Sequence, residues 1–541
     1  MNSSPNRTTI SKTLTNTTNY FKQYCSATSI HGFQYFGEDR SIFEKIWWSL
    51  IFIICLSGCS IMIYKIYEKY ETSPVIVSFA TKETPLYKIP FPAVTICPEV
   101  KSDVRKFNLT NVFMKKKNNL LLSETEFKNL QYMSLLCDDI DEFRDILIND
   151  TLDEFSDNIL ESLDQIKPAF LPIECKFLGE ENQICEDLFI PIFTDEGVCY
   201  TFNMLDRSHI FTDRVYRNHY KGYHKIPNDT KSWNMEQGYL DNSKLWVYPW
   251  RALFSGANHG LILYLATEEE NVEYKCKGIQ GFKVVLHSPV RMPRLKQEYI
   301  RIPLNQAVVA LVHPVVIETS EAVKTFDPEK RFCYFPTERK LQYFRSYSQQ
   351  NCLFECLTKI TLKMCDCVSI FMPSNNMISF SLIIGTFIGD NGTKICGLSK
   401  QKCVKQAEEA MHLGELNVFH DVKIDFDGCD CMPLCTDLSY NVETSQTHWN
   451  WKNALKEDLD PNILKKSFHL SSLTIYFKFN HFITSQRHEL YGPTDFVANF
   501  GGLLGLFMGF SILSLAEILY FFTVRICCNV RLYGNWIGLE E

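Results

Sequence analysis

The sequence predicts a membrane protein in which two helical spans flank one large, disulfide-rich α+β domain. Three observations carry this. Residues 46–64, IWWSLIFIICLSGCSIMIY, and residues 500–524, FGGLLGLFMGFSILSLAEILYFFTV, are apolar runs of about 19 and about 25 residues, against the ~20 that cross a bilayer. Sixteen of the 21 cysteines lie between Cys97 and Cys435, a framework expected in an oxidising compartment. Between the runs both structural periods occur, so the intervening domain mixes helix and strand.

The organisation expected from this is a tail over 1–45, a first span over 46–67, the Cys-rich domain over 68–495, a second span over 496–524 and a tail over 525–541. The first 45 residues are polar and lack an apolar leader, so no cleavable signal peptide is expected. Trp47 and Trp48 suit a membrane interface. Two spans put both termini on one side. Flanking Lys and Arg do not decide which, because Arg40 and Lys45 are matched by Lys65 and Lys69. The cysteines and the sequons at Asn108, Asn149, Asn228 and Asn391 place the central domain outside the cell and both tails in the cytoplasm.

Within that domain a Ser123-Glu-Thr-Glu126 capping box opens a helical stretch running towards Leu163. A second helix is expected over 349–364, where Cys352 and Cys356 share a face. Alternation over 260–265 and 473–482 reads as strand, with Leu473, Ile475, Phe477 and Phe479 on one side. The cysteines expected to pair are Cys97, Cys137, Cys175, Cys185, Cys199, Cys276, Cys333, Cys352, Cys356, Cys365, Cys367, Cys396, Cys403, Cys429, Cys431 and Cys435, with connectivity open. Disulfides outweigh a zinc site at the two Cys-Asp-Cys pairs, which are closer spaced than structural zinc ligands. The run Thr267-Glu-Glu-Glu270 reads as a solvated loop, and the apolar segment 374–388 as an extra buried loop or material foreign to the mature fold.

The second apolar run departs from a plain anchor. Ala498, Gly502, Gly505 and Gly509 follow 4-3-4 spacing and share a helical face, joined by Gly501, and Glu517 lies well inside the run. An intramembrane carboxylate normally faces a protein interior or water and marks an ion or substrate path. The small-residue face suits either a pore lining or helix packing. On an unbroken helix Glu517 points ~80° away from Gly509, so one face does not carry both. Cys527 and Cys528 just past the run are either palmitoylation sites or reduced bystander thiols. The acidic balance, net charge −8, gives no reason to expect nucleic acid, and no phosphate loop, GxSxG elbow or HExxH occurs, so no enzyme is expected.

In order along the chain stand His31-Gly32, Phe91-Pro-Ala-Val-Thr-Ile-Cys97, Cys199-Tyr-Thr-Phe-Asn203, Gly281-Phe-Lys-Val-Val-Leu-His-Ser-Pro289, Tyr347-Ser-Gln-Gln-Asn-Cys352 and Cys429-Asp-Cys-Met-Pro-Leu-Cys435. This series resembles the degenerin/epithelial sodium channels, and within them the insect pickpocket-like branch. The resemblance implies a trimer, homomeric or heteromeric with related subunits. It implies a hand-like ectodomain of palm, β-ball, thumb and finger, and a sodium-permeable, amiloride-blocked plasma-membrane channel. His31 and Gly32 fall on the family's gating motif, Gly509, Phe510 and Ser511 on its selectivity filter, and Ala498 on the small position near its gate; a short extended break at that filter would reset the register to Glu517 and expose carbonyls to an axis. Asn499 replaces an acidic residue, Tyr520 stands where many members have another, and Phe510 is larger than the usual filter residue. The size of Phe510 bears on sodium selectivity, and the loss of acidic residues at Asn499 and Tyr520 weakens cation attraction along the pore. The expected partners are membrane lipid, sodium ions, other subunits and an unidentified extracellular ligand; no cofactor or metal is expected beyond permeant Na+. The alternative from another class is a non-conducting receptor or scaffold subunit whose Cys-rich domain binds a ligand.

Overall fold

The computed structural model describes residues 7–72, 75–147, 154–155, 159–180, 185–212, 215, 233–240, 247–374, 393–415, 429–457, 467–490 and 492–537. The sequons at Asn149, Asn228 and Asn391, and the apolar segment from residue 375 onward, lie outside these residues. The chain divides into two units: Met1–Val77 with Ser320–Arg331 and Arg487–Glu541, and Ser78–Thr319 with Phe332–Gln486.

The first unit holds two helices long and apolar enough to cross a membrane, Ile42–Thr72 and Ile512–Tyr533. The first begins four residues before the apolar run and continues eight beyond it. At 31 residues it is about 46 Å long, well over the ~30 Å hydrocarbon core. The polar N-terminal stretch, expected as a tail, is a 21-residue helix, Arg7–Ala27.

The second unit is built on two sheets. Its strands are β1 (Ala93–Pro98), β2 (Leu171–Phe177), β3 (Phe189–Thr194), β4 (Gly197–Phe202), β5 (Leu261–Glu268), β6 (Gly281–His287), β7 (Ile300–Pro303), β8 (Gln306–Thr319), β9 (Asp437–His448) and β10 (Phe468–Phe477). The larger sheet contains the order β9-β8-β10-β5-β2, these pairs antiparallel except for the parallel β8–β10 pair. The smaller runs β7-β6-β1-β4-β3, antiparallel throughout. Alternation sets the register of the larger sheet. Leu261 pairs with Ile475 and Leu263 with Leu473, while Ala310 and Val308 flank the same two residues from β8, and all are buried. Phe479, expected on that face, lies past the end of β10 and is 61% exposed. The strand stops at Phe477, whose ring meets Phe91 at 5.5 Å.

Motif residues have physical jobs here. Phe91 is fully buried among Phe177, Phe202 and Phe477. The Asn203 side chain bonds the carbonyls of Phe91 and Trp250 and accepts from the Trp250 N–H. At Gly281 a Cβ would come within 2.2 Å of the Ile302 carbonyl, so the approach of β7 excludes any side chain.

The Ser123–Glu126 capping box forms as expected, but its helix ends at Ser134. Helical structure resumes at Ile140–Ile146, capped by Asp139, and at Ile159–Ile166, so one expected helix is three. The interruption lets Cys137 reach Cys276. Helix Gln349–Cys365 is capped by Ser348 and ends at Asp366 in the left-handed conformation. Its cysteines pair as Cys352–Cys431, Cys356–Cys429 and Cys365–Cys403, with Cys367–Cys396 just beyond. The others are Cys97–Cys199, Cys175–Cys185 and Cys333–Cys435. The five remaining cysteines, Cys25, Cys55, Cys59, Cys527 and Cys528, are free thiols, all in the first unit. The acidic run is tied down: Arg105 pairs with Glu268 at 2.6 Å and Glu270 at 3.3 Å, and Ser467 donates to Glu269.

An ionic cluster is buried at the β3–β4 turn. Glu196 meets Lys283 at 2.7 Å, Lys277 at 2.9 Å and Lys101 at 3.4 Å, and Glu99 meets Arg301 at 3.2 Å. Burial alone would raise the Glu196 carboxyl; the field of Lys101, Lys277 and Lys283 overcomes this and holds it well below the carboxylate range. Burial lowers Lys101 from 10.5 to about 8, against the pull of Glu196.

Candidate functional site: a broken second span and the N-terminal turn

Helix Pro493–Met508 opens with Pro at its first position, and Asp495 accepts from the Gly492 N–H at 3.2 Å. It stops at Gly509, which is left-handed at φ +65°. The N–H groups of Gly509 and Phe510 fold back onto the carbonyls of Gly505 and Leu504, at 2.9 and 3.2 Å. Ser511 is extended and starts a new helix, Ile512–Leu519. Its hydroxyl accepts from the Ser514 N–H while Ser514 Oγ accepts from the Ser511 N–H, a reciprocal cap. The carbonyls of Gly509 and Phe510 precede this cap, so neither accepts a bond within the lower helix. The chain is therefore interrupted at 509–511 by left-handed and extended backbone. Gly509 ends the expected small-residue face instead of continuing it.

The N-terminal segment returns to this break. After helix Arg7–Ala27 the chain turns through Thr28–Phe33, with Gly32 at φ +84°, before the first membrane helix. The His31 N–H bonds the Met508 carbonyl at 3.0 Å, satisfying one orphan acceptor at the end of the upper helix. A Cβ on Gly509 would lie 2.5–2.7 Å from three atoms of the His31 ring, so only glycine admits both this backbone angle and this neighbour. Below the break Ser29 Oγ bonds Ser514 Oγ at 2.7 Å. Glu517 accepts from the Ser29 N–H at 2.9 Å, from Ser29 Oγ at 3.1 Å and from Thr28 Oγ1 at 3.4 Å. Aromatic contacts hold the turn to the first membrane helix: Tyr35 stacks on Trp48 at 4.1 Å and Phe33 meets Phe52 at 5.4 Å.

Of the residues singled out in sequence, His31, Gly32, Gly509, Ser511 and Glu517 come together here. Phe510 is half-buried beside them. Ala498, Asn499, Gly501, Gly502 and Gly505 lie higher, on the upper helix and exposed; a Cβ at Gly501 or Gly502 would meet nothing within 4 Å. Among the described residues nothing covers that small-residue face at Gly501 or Gly502. Near the top of the upper helix Tyr70 meets Phe496 ring to ring at 5.1 Å, and Glu71 pairs with Lys330 at 2.7 Å. Sequence reasoning missed Thr28, Ser29, Met508 and Ser514. The Ser-x-x-Ser spacing at 511–514 signals a cap and could have found Ser514, while Ser29 carries no local signal.

Asn108 is exposed and caps helix Leu109–Lys117 through Oδ1, which accepts from the Asn111 N–H at 2.9 Å. Its Nδ2, the atom that carries a glycan, is not the capping atom.

Two helices long and apolar enough to cross a membrane, a disulfide-stapled α/β domain and a backbone break at Gly509-Phe510-Ser511 just before the second of these helices fit a two-span membrane channel subunit. It belongs to the amiloride-sensitive sodium channel family, whose profile matches residues 24–521. It is similar to Pickpocket protein 28 of Drosophila melanogaster, 27% identical over 94% of this chain and 79% of the relative. Sodium channel protein Nach of Drosophila melanogaster is 23% identical, covering 95% and 88%. The bile acid-sensitive ion channel of Homo sapiens is 23% identical, covering 92% and 85%. The family is one of channels rather than enzymes, which fits the sequence reading.

Proposed function

We propose that this chain is a pore-forming subunit of a sodium-permeable, amiloride-sensitive channel of the plasma membrane, gated through its ectodomain and assembled as a homo- or heterotrimer with both termini cytoplasmic. The observation that carries the reading is the break at Gly509-Phe510-Ser511, flanked by the His31 turn. Irregular backbone at membrane depth is tolerated where protein or a water-filled path satisfies it, and carbonyls outside helical bonding can replace an ion's water. The uncovered face of Ala498, Gly502 and Gly505 suits close approach of neighbouring subunits around an axis. The family's name and that of the Nach relative support sodium and amiloride as the ion and blocker to test. A stimulus acting on the ectodomain is passed to the spans through the linkers at 70–73 and 491–494, beside which Tyr70 meets Phe496 and Glu71 pairs with Lys330, and the upper helices part near Ala498.

Whole-cell recording with sodium replaced by potassium, with and without amiloride, tests this. A sodium current that amiloride blocks, and a constitutive current from Ala498→Val, are expected from the chain alone or with related subunits. Normal surface delivery with no current from either would favour a non-conducting accessory subunit. The half-buried Phe510 beside the break supports that second reading. Phe510→Ser leaving the permeability ratio of an assembled channel unchanged would remove this residue from the filter.

A further inference from the structure

The lower part of the second span contains one wide turn. Over Tyr520–Val524 the backbone is π-helical, and the Arg525 N–H bonds the carbonyl of Tyr520, five residues back. In an α-helix that N–H would bond Phe521 O. Phe521 O takes the hydroxyl of Tyr20 instead, at 2.5 Å, from a residue 501 positions away on the N-terminal helix. Further contacts converge on the same residue. The Phe521 side chain is buried, with Tyr24 edge-on at 5.3 Å, Tyr20 at 6.2 Å and the Arg525 guanidinium over its ring at 4.4 Å. Arg525 also reaches Gln23 Oε1 at 3.3 Å, and the Tyr20 ring meets Trp536 at 5.6 Å.

Wide turns of this kind occur mostly as single insertions and often at functional sites. One inserted residue rotates everything after it by about 100° relative to an uninterrupted helix, so this turn sets which way residues 525–533 face with respect to Glu517. The ring contacts of Tyr20 would be met by phenylalanine; the hydroxyl is the part aimed at the carbonyl. We propose that the Tyr20 hydroxyl holds the wide turn at 520–524 and so fixes the rotational register of the last helical segment at the inner end of the conduction path. Tyr20 is a positioning residue acting through Phe521. Its effect on current rests on the channel reading; its effect on register does not.

Tyr20→Phe removes the hydroxyl and keeps the rings. Cys527 and Cys528, both exposed and beyond the turn, report register without any current. In intact cells their alkylation by a membrane-permeant maleimide is followed by mass spectrometry on the tryptic peptide 526–531, which carries both thiols and no others. Loss of one hydrogen bond is expected to change that rate by about 2- to 10-fold, and open probability per surface channel by a similar factor. An ester in place of the amide between Phe521 and Phe522 weakens the same carbonyl as an acceptor and also removes the Phe522 N–H, so it should change the rate less in Tyr20→Phe than in the parental chain. Unchanged alkylation, or ester and Tyr20→Phe effects that simply add, overturns the inference whatever the current does. Altered alkylation with unaltered current overturns the role in conduction. Altered alkylation in a chain that conducts nothing, even with relatives, upholds the register and sinks the channel reading instead.

Discussion

Ser29 gives its backbone N–H to the carboxylate of Glu517 at 2.9 Å across 488 residues of sequence. The intramembrane carboxylate is thus partnered by the N-terminal turn within its own chain. Hydrogen bonds to a charged group contribute about 1.5–3 kcal/mol, so Glu517→Ala should shift the turn between docked and free by roughly ten- to a hundredfold. Ser29→Pro, which removes the donor, should mimic it, and the double variant should be no worse than either single. Conductance per surface channel for the four genotypes measures this; additive losses would mean that Glu517 acts on ions and not on Ser29.

Gly509→Ala meets two obstacles at once. A non-glycine residue in left-handed backbone costs about 1–2 kcal/mol, and the new Cβ overlaps the His31 ring. Current should be lost while surface delivery persists. Adding His31→Ala to Gly509→Ala removes the overlap but not the backbone cost, so a partial recovery is expected. Recovery to the parental current would show that the angle itself is unimportant.

The buried Lys101 makes stability rise on the alkaline side. Its folded value is about 8 against 10.5 when free, so the folded chain bears a cost for the charged amine that fades as pH rises from 8 to 10.5. The full gap corresponds to about 3 kcal/mol. The unfolding midpoint of the detergent-solubilised protein should climb between pH ~8 and ~10 relative to Lys101→Met, which lacks the titration. Glu196→Gln, which strips Lys101, Lys277 and Lys283 of their shared counter-charge, should cost about 3–5 kcal/mol in the same assay.

Orientation can be read at Asn108. Asn108→Asp keeps an oxygen to accept from the Asn111 N–H but has no amide nitrogen for a glycan. On the proposed topology it should lower the apparent mass on a gel by one glycan, with normal folding and delivery. A wild-type chain whose mass is insensitive both to the substitution and to a glycosidase would put this site on the wrong side of the membrane or out of reach.

Features set by neighbouring residues were legible in sequence. The Ser123 capping box and the β5 and β10 alternation follow from side-chain period and cap chemistry, while the break at 509–511 was located by the family resemblance. The extent of the helix after Ser123 was not, because Asp139 starts a new helix by the same chemistry that Ser123 uses, and only the Cys137–Cys276 bridge shows why the chain must turn between them. The N-terminal helix was hidden by its polarity: its Thr and Asn residues read as a tail, and the side chains that matter, Tyr20, Gln23 and Tyr24, find partners some five hundred residues later. Glu517 was picked out as a misplaced charge, yet its partners Thr28 and Ser29 are ordinary polar residues at no telling spacing. Periodicity reports which way a side chain faces within its own element and carries no information about a contact closed by the fold.

Helix Gln349–Cys365 carries bridges at Cys352, Cys356 and Cys365, with a fourth at Cys367 two residues past its end. Spliced at both ends to the segments beside it, a rod of about 25 Å has little room to flex or unwind. Mechanically it is a stiff lever: displacement applied at one end is delivered at the other with little lost to bending. On the proposed ectodomain gating, a stimulus that strikes this helix need not be strong, only well placed.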